Sequence, residues 1–143
     1  MSLTDLIQQS LLDTREFYFG QVWTVPDELV TIPDADRINQ RALHTARSML
    51  IVSNHTGNTN PLNPIVSVVP LSHRVDCMRA GDVELYRERD TLAFDSIARI
   101  RLVQPILKAD LIRHVATISD DGKEEILFGI EEYFGLSLAE EIH

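Results

Sequence analysis

The chain has 143 residues, of which 44% are apolar and 24% are charged. This composition is typical of a globular protein with one hydrophobic core and excludes a disordered chain. The formal net charge of −9 argues against nucleic-acid binding through overall electrostatic attraction, so any such binding requires a local basic patch.

The sequence holds one cysteine, Cys77, and therefore lacks the residues for an internal disulfide or for a zinc site of several thiolates. No apolar run approaches the roughly 20 residues that span a bilayer. The segment Met1–Asp5 lacks the basic start and apolar centre of a secretory signal. These features predict a cytoplasmic protein with no membrane partner.

The first elements are predicted from the spacing of apolar residues. Ser2 and Asp5 stand at capping-box positions before apolar residues at helical spacing, which predicts a helix over residues 2–17. Gln21–Val25 is rich in β-branched and aromatic residues and predicts the first strand, which Pro26 ends.

A long loop and a hairpin follow. Residues 27–44 have no clean period, so we expect a loop with a short helical turn near 38–43, and loops of this length are usually functional or mobile. Residues 46–54 and 64–74 are two β-rich runs around a segment of Asn, Thr, Gly and Pro, which predicts an antiparallel hairpin. Because both runs are apolar on both faces, we expect each face to be covered.

The register of this hairpin defines a candidate site. If Asn54 lies opposite Ile65, antiparallel pairing places Arg47 opposite Ser72, because the sum of paired residue numbers is constant. Directly opposed residues share a face and lie about 5 Å apart at Cβ. A guanidinium and a hydroxyl would then meet at the open end of two otherwise apolar strands.

The remaining pattern predicts short strands followed by a helix. We expect an edge strand at Val83–Tyr86, a half-exposed strand at Ser96–Val103 ended by Pro105, a turn at Lys108–Leu111 and a strand at Arg113–Ile118. A helix then begins near Ser119, with Asp121 and Glu124 at capping-box spacing, and runs to Gly135. Its predicted apolar face consists of Ile126, Leu127, Ile130, Tyr133 and Phe134.

Several of these strings, in this order, resemble one known family. They are Gly20-Gln21-Val22-Trp23, Arg47 to Asn54, Val68 to Ser72, Ser96-Ile97 and Leu107 to Leu111. The resemblance is to the MazF/PemK toxins of bacterial toxin–antitoxin pairs, and it covers roughly Phe19 to Gly135. Ser48 stands where that family usually has proline, and Ser72 stands where it usually has threonine, so the hydroxyl is kept.

The resemblance implies a mainly β, α+β fold, an SH3-like small barrel of the MazF/CcdB type with an N-terminal and a C-terminal helix. We expect a single domain over 1–143, with an accessory helix over 1–17 and the barrel core with its C-terminal helix over 19–135. The resemblance further implies a growth-inhibiting endoribonuclease that needs no metal or other cofactor, with an RNA substrate and a cognate antitoxin. It also implies a homodimer.

In this family the positions of Arg47 and Ser72 are catalytic. Cleavage of RNA by its own 2′-OH needs a proton acceptor, a proton donor for the leaving oxygen and donors for the phosphoryl oxygens. Arg47 suits the last task, because its planar fork binds phosphate and stays charged. Arginine is a poor base, so His73 is a candidate by type, although strand alternation turns it away from the face of Ser72.

We also consider RNA contacts from His55, Asn58, His73 and Arg74, since unpaired bases are read by stacking and hydrogen bonds. The plainer interpretations are a solvated hairpin loop, a surface cation at Arg47 and a strand-end hydroxyl at Ser72. No spacing supports a metal site. The alternative functions are a non-catalytic member of the same fold, such as a CcdB-like gyrase inhibitor or an inactive binding protein, and a barrel with no nucleic-acid partner.

Overall fold

The computed structural model describes residues 2, 4–5, 13–38 and 41–136. Their strands form one antiparallel sheet: β1 (Gln21–Pro26), β2 (Ala46–Ile51), β3 (Ile65–Ser72), β4 (Val83–Leu85), β5 (Ser96–Ala98), β6 (Gln104–Leu107) and β7 (Arg113–Thr117). Helices α1 (Pro33–Arg37), α2 (His55–Thr59) and α3 (Asp120–Phe134) connect or flank these strands.

The sheet is curled because β3 has three partners. The strand order is β4-β5-β3-β2-β1-β7, and β6 pairs with β3 as well. The first half of β3 lies beside β6, whereas its last two residues, Leu71 and Ser72, pair with β5. This curled half-barrel with a C-terminal helix confirms the predicted α+β fold.

Apolar clusters cover both faces of the hairpin, as its sequence predicted. Met49 and Ile51 belong to a cluster with Phe17, Trp23 and Val68. The alternate residues Leu50 and Val69 belong to a second cluster, under α3, which also holds Val22, Leu71, Ile118 and Ile126. Since side chains alternate between faces along a strand, the two clusters lie on opposite sides of the sheet.

The N-terminal prediction falls largely outside the described residues, which omit 6–12. The reciprocal capping box is present: the Ser2 amide donates to Asp5 Oδ2 at 3.1 Å, and the Asp5 amide donates to Ser2 Oγ at 3.1 Å. Residues 13–17 are not helical, so the predicted extension of the helix to residue 17 is wrong. Instead, Phe17 is fully buried and tilts against Trp23, with ring centroids 4.9 Å apart.

The long loop also differs from its prediction. Its helix, α1, is Pro33–Arg37, whereas residues 41–43 are irregular. Proline at the first helical position is the start signal, because its ring fixes φ and its missing N–H is not needed there.

The hairpin loop is largely exposed, as the plainer interpretation expected, but it contains a short helix, α2. Asn54 caps α2 by accepting from the Gly57 amide at 3.2 Å. The C-terminal end of α2 is closed by Lys108, a fully buried residue whose Nζ donates to the Asn60 carbonyl at 2.9 Å and to that of Gly57 at 3.3 Å. Burial lowers the pKa of Lys108. This turn therefore has a defined structure.

The predicted strand at Ser96–Val103 is wrong as a single strand. Only its first part, β5, is a strand; a 3-10 turn follows at Ile100–Leu102, and the next strand, β6, begins after it at Gln104. The break occurs where the Arg99 amide donates to the Pro70 carbonyl at 3.0 Å. Pro105 does not end a strand but lies within β6. Among the described strands β6 pairs with β3 alone, so the missing N–H of Pro105 leaves no ladder bond unmade there.

The other strand predictions and the end of the last helix are confirmed. They are β1, β4 at the sheet edge, the turn at Lys108–Asp110, β7, and the stop of α3 at Gly135, which has φ +69°. Of the predicted apolar face of α3, Ile126 is fully buried, whereas Leu127, Tyr133 and Phe134 are about half exposed.

The start of α3 is held by Ser119 and a buried aspartate rather than by a capping box at Asp121. Ser119 Oγ accepts from the Gly122 amide at 3.0 Å and donates to Asp90 Oδ1 at 2.7 Å. Asp90 also accepts from the amides of Ser119 and Tyr86. Burial raises the pKa of Asp90, but these hydrogen bonds and one from Arg89 outweigh it and lower the pKa.

None of the helices in the described part of the chain has the length and apolar character that crossing a membrane requires.

Removing the Ser119 hydroxyl should destabilise the fold, because it deletes the cap of α3 and a hydrogen bond to buried Asp90. We expect Ser119→Ala to lower the free energy of unfolding by about 1–2 kcal/mol in urea titrations. Thr56→Ala, at an exposed residue of α2, is the control and should change it little. Equal losses in both variants would contradict this role of Ser119.

Candidate functional site

The end of β1 brings a buried carboxylate to the start of β2. Val25 pairs with Arg47 across the two strands, and Asp27 follows directly after β1. Arg47 Nε donates to Asp27 Oδ1 at 2.7 Å. The strand pairing therefore decides which carboxylate meets this arginine.

A second arginine binds the same carboxylate from the long loop. Arg41 Nη2 lies 2.5 Å from Asp27 Oδ1 and also bonds the Asp27 carbonyl oxygen, and its Nη1 donates to the Val30 carbonyl. The His44 amide donates to Asp27 Oδ2 at 2.9 Å. Arg41 Nη1 also lies 3.1 Å from Asp36 of α1. The C-terminal part of the loop is thus hydrogen-bonded to the buried acid at its start.

Within the Asp27–Arg47 pair, the carboxylate is buried and the guanidinium is partly exposed. The Asp27 side chain is fully buried, whereas that of Arg47 is 16% exposed. Burial raises the pKa of Asp27, but hydrogen bonds from Arg47, the His44 amide and Arg41 outweigh it and bring the pKa to about 2. Within the described part of the chain, Arg47 uses only Nε for hydrogen bonding, so its two Nη groups stay available to an anion.

The hairpin has the predicted register, but the ladder stops before the predicted pair. Met49–Pro70, Leu50–Val69 and Ile51–Val68 are partners, and each pair sums to 119 as expected. Beyond them β2 stays with β1, whereas β3 pairs with β5 through Leu71 and Ser72.

Arg47 and Ser72 consequently lie at strand ends that no longer pair with each other. By strand alternation both lie on the face of the Met49 cluster. Among the described residues, no hydrogen bond joins them. Ser72 Oγ accepts from the Arg74 amide at 3.2 Å, which leaves its O–H free to donate.

The residues proposed for RNA contact are divided between the two ends of the hairpin. His55 is exposed in α2, at the closed end, and stacks on Tyr18 with ring centroids 5.1 Å apart. Asn58, also in α2, is fully buried: its Nδ2 donates to the Ser53 carbonyl at 2.8 Å, and its Oδ1 accepts from Ser53 Oγ at 2.5 Å. In this structure Asn58 therefore shapes the turn and offers no surface to a base.

His73 and Arg74 follow Ser72 at the open end and are exposed. The His73 ring lies against Phe94, with centroids 5.4 Å apart. Arg74 forms an exposed pair with Asp76 at 3.2 Å, which solvent screens strongly. Both residues are accessible beside the hydroxyl of Ser72.

Sequence reasoning missed Asp27 and Arg41. The available signal was an acid directly after a strand-ending proline, with an arginine in a loop too long to be merely connecting. Beside Asp27 lies a cleft of about 210 Å³, which Glu28, Leu43 and His44 also line. The described residues contain no group of three or more His, Cys, Asp or Glu side chains arranged to hold a metal ion.

Comparison with known families gives one match over most of the chain. Residues 20–134 match the family model described as the PemK-like, MazF-like toxin of type II toxin–antitoxin systems. Compared with curated proteins, the sequence gives no match.

Solved structures share the fold at low sequence identity. An endoribonuclease from Mycobacterial species has a TM-score of 0.63 and 15% identity, over 85% of this chain and 94% of that one. An endoribonuclease in complex with its cognate antitoxin, also from Mycobacterial species, has a TM-score of 0.63 and 18% identity over 84% and 96%. MazF from Deinococcus radiodurans has a TM-score of 0.63 and 11% identity over 85% and 98%.

The depressed pKa of Asp27 predicts a loss of stability in acid. The folded pKa of about 2 lies below the usual 3.8, so the ion pairs stabilise the fold fully above about pH 5 and lose that effect as the pH falls towards 2. The difference is worth about 2 kcal/mol. Unfolding titrations from pH 7 to 2 should show a shallower acid slope in Asp27→Asn.

Asp76→Asn is the matched control, because this aspartate also pairs with an arginine but its side chain is 68% exposed. Its acid slope should follow that of the unchanged protein. If the acid slope of Asp27→Asn also equals that of the unchanged protein, the buried ion pairs of Asp27 do not contribute to the stability in this pH range.

Arg41 should hold the loop in place. We expect Arg41→Ala to speed amide hydrogen exchange over residues 28–38, measured by mass spectrometry, because the variant lacks bonds to Asp27 and the Val30 carbonyl. The control is Arg37→Ala, at an exposed arginine of α1. Similar exchange in the two variants would show that Arg41 does not anchor this segment.

Proposed function

Because the chain belongs to the PemK-like, MazF-like toxins of type II toxin–antitoxin systems, we propose that it is a metal-independent endoribonuclease that cleaves single-stranded RNA by attack of the 2′-OH. The endoribonucleases of the same fold support this proposal. The catalytic residues are Arg47 and Ser72.

One observation carries the proposal: a buried carboxylate orients the Arg47 guanidinium through Nε alone. Asp27 lies 2.7 Å from Nε, and the Nη groups remain for a ligand. Guanidinium binds phosphate through two parallel hydrogen bonds, so a fixed fork at a strand end suits a phosphodiester. The exposed part of the pair is positive in a chain whose net charge is −9.

The reaction needs charge stabilisation more than a strong nucleophile. The ribose 2′-oxygen forms a bond to phosphorus while the bond from phosphorus to the 5′-oxygen breaks, giving a 2′,3′-cyclic phosphate and a free 5′-OH. A base accepts the 2′-OH proton and an acid returns a proton to the 5′-oxygen. Arg47 stabilises the negative charge that builds up on the phosphoryl oxygens, which is usually the largest contribution.

Ser72 supplies a further donor to the same phosphate. Its Oγ accepts from the Arg74 amide, so its proton is free to point at a ligand. Since β2 and β3 no longer pair beyond Met49 and Pro70, an extended strand of RNA would enter between Arg47 and Ser72. His73 and Arg74 contact the RNA beside Ser72, and His55 stacks on a base at the other end of the hairpin.

The wider assignment follows the family. We infer a cytoplasmic, growth-inhibiting toxin that consists of one domain, acts as a homodimer and is held inactive by a cognate antitoxin. A neighbour of the same fold in complex with its cognate antitoxin supports this partner. Light scattering of the purified chain, alone and with the product of an adjacent gene, measures both associations.

The proposed activity is tested by cleavage of a labelled single-stranded RNA in the presence of a chelator. We expect Arg47→Ala to lower the rate by about 100-fold or more, as loss of one charge-stabilising donor does in other enzymes. Arg47→Lys should also be slow, because a point charge does not replace the fork. Ser72→Ala should be at least about tenfold slower, whereas Ser72→Thr should remain active.

Arg87→Ala is the control, since this exposed arginine follows β4 at the far edge of the sheet. Thermal unfolding shows which variants remain folded, because Arg47→Ala leaves Asp27 without one of its partners. Cleavage that needs a divalent ion, or full activity in folded Arg47→Ala, would disprove this mechanism. Growth arrest without RNA loss would favour a gyrase-type toxin.

A further inference from the structure

A second possible binding surface lies far from Arg47, between α3 and the segment 80–86. It is a groove of about 960 Å³ lined by the outer side of α3 and by β4 with its preceding turn. Since α3 packs over the Leu50 cluster and Arg47 shares the face of Met49, the groove and the proposed nuclease site are on opposite faces of the sheet. The proposed nuclease function does not use it.

The walls of the groove are aromatic and its floor is closed. Phe128 is 61% exposed, Tyr133 is 47% exposed and Tyr86 is 41% exposed. At the floor, a Cβ on Gly129 would lie 2.6 Å from Val83 Cγ2, so glycine is what allows α3 to approach β4 this closely. The groove is therefore a shaped concave surface with exposed rings.

Its charges are negative and largely uncompensated. Carboxylates from five residues line it: Asp82, Glu84, Glu124, Glu125 and Glu132. Glu125 is neutralised by a bidentate ion pair with Arg89, whose Nη1 and Nη2 donate to its two carboxylate oxygens at 2.8 and 2.9 Å. In the part of the chain that the structure describes, Glu84, Glu124 and Glu132 form no ion pair.

The local charge affects a ring of the groove: the neighbouring Glu84 carboxylate, together with burial and Glu125, raises the pKa of Tyr86. The fifth carboxylate, Asp82, is fully buried and is paired within the chain, because Arg101 Nε lies 3.7 Å from its Oδ1. Glu84, Glu124 and Glu132 are therefore the carboxylates that a ligand of the groove would meet.

We propose that this groove docks a cationic amphipathic segment of another protein. Lysine or arginine side chains of the segment meet Glu84, Glu124 and Glu132, and its aliphatic carbons lie on Phe128 and Tyr133. Aromatic faces attract ammonium and guanidinium groups, and carboxylates around them add complementary charge. The exposed carboxylates of the groove repel a nucleic acid, and they also repel the same groove of a second copy of this chain.

The test uses two fluorescein-labelled amphipathic peptides, one with lysine and leucine on opposite faces and one with glutamate in place of lysine. Fluorescence anisotropy with the unchanged protein should show binding of the lysine peptide that weakens with salt, and no binding of the glutamate peptide. Glu132→Lys should weaken the lysine peptide by at least about tenfold, and Phe128→Ala by at least about threefold.

Adjacent residues of α3 supply matched controls. Glu131→Lys makes the same charge change and Leu127→Ala a similar apolar truncation, yet neither residue lines the groove. Both variants should bind like the unchanged protein, apart from a small loss from the net charge. Sedimentation analysis measures self-association of all these proteins.

The proposal is overturned if the lysine peptide does not bind, or if the glutamate peptide binds as well. Equal weakening in Glu131→Lys and Glu132→Lys would show attraction to the overall charge only. Dissociation of a dimer by Phe128→Ala would show that the groove is an interface between copies of this chain. None of these outcomes depends on RNA cleavage, so the two proposals fail separately.

Discussion

The carboxylate of Asp27 is the group on which the proposed nuclease site depends. It is buried after β1 and accepts hydrogen bonds from Arg47 on β2, from Arg41 in the loop and from the His44 amide. A buried charge that loses a partner is costly, so the three donors hold one another in place. The same carboxylate therefore fixes the loop and aims the arginine, and the conformation of one is linked to that of the other.

The two proposed binding surfaces differ in which charge is buried and which is exposed. On the side of the Met49 cluster the acid is buried and the guanidinium of Arg47 is partly exposed. On the side of α3 the acids are exposed around aromatic rings, whereas Arg89 and Arg101 are turned towards carboxylates of their own chain. Because solvent screens fields within about 10 Å, each surface presents its local sign and not the net charge. One small fold can thus offer an anion site and a cation site.

The branching of β3 connects the fold to the proposed chemistry. Proline at position 70 accepts the Arg99 amide through its carbonyl, and from there β3 continues beside β5. The hairpin register that would close Arg47 against Ser72 ends two residues earlier, at Met49. Arg47 and Ser72 thus share a face, and no hydrogen bond joins them among the described residues. In the proposed mechanism a phosphate binds between them, where the two strands no longer pair.

Local pattern in the sequence determined the strands β1, β2, β3 and β7 and the end of α3 at Gly135. These features follow from side-chain alternation, apolar periodicity and the φ preference of glycine. Each of these depends only on residues close together in the chain. The hairpin register, which places Arg47 and Ser72 on one face, was a supposition that the structure confirmed. Tertiary structure alone decided the partners of Asp27, the burial of Asn58 and Lys108, and the division of Ser96–Val103. Apart from the Asn58 contacts with Ser53, these features depend on groups distant in the chain, such as Lys108 and Asn60 or Arg99 and Pro70. Such groups come into contact only when the sheet has curled, so the conformational preferences of neighbouring residues do not predict these contacts.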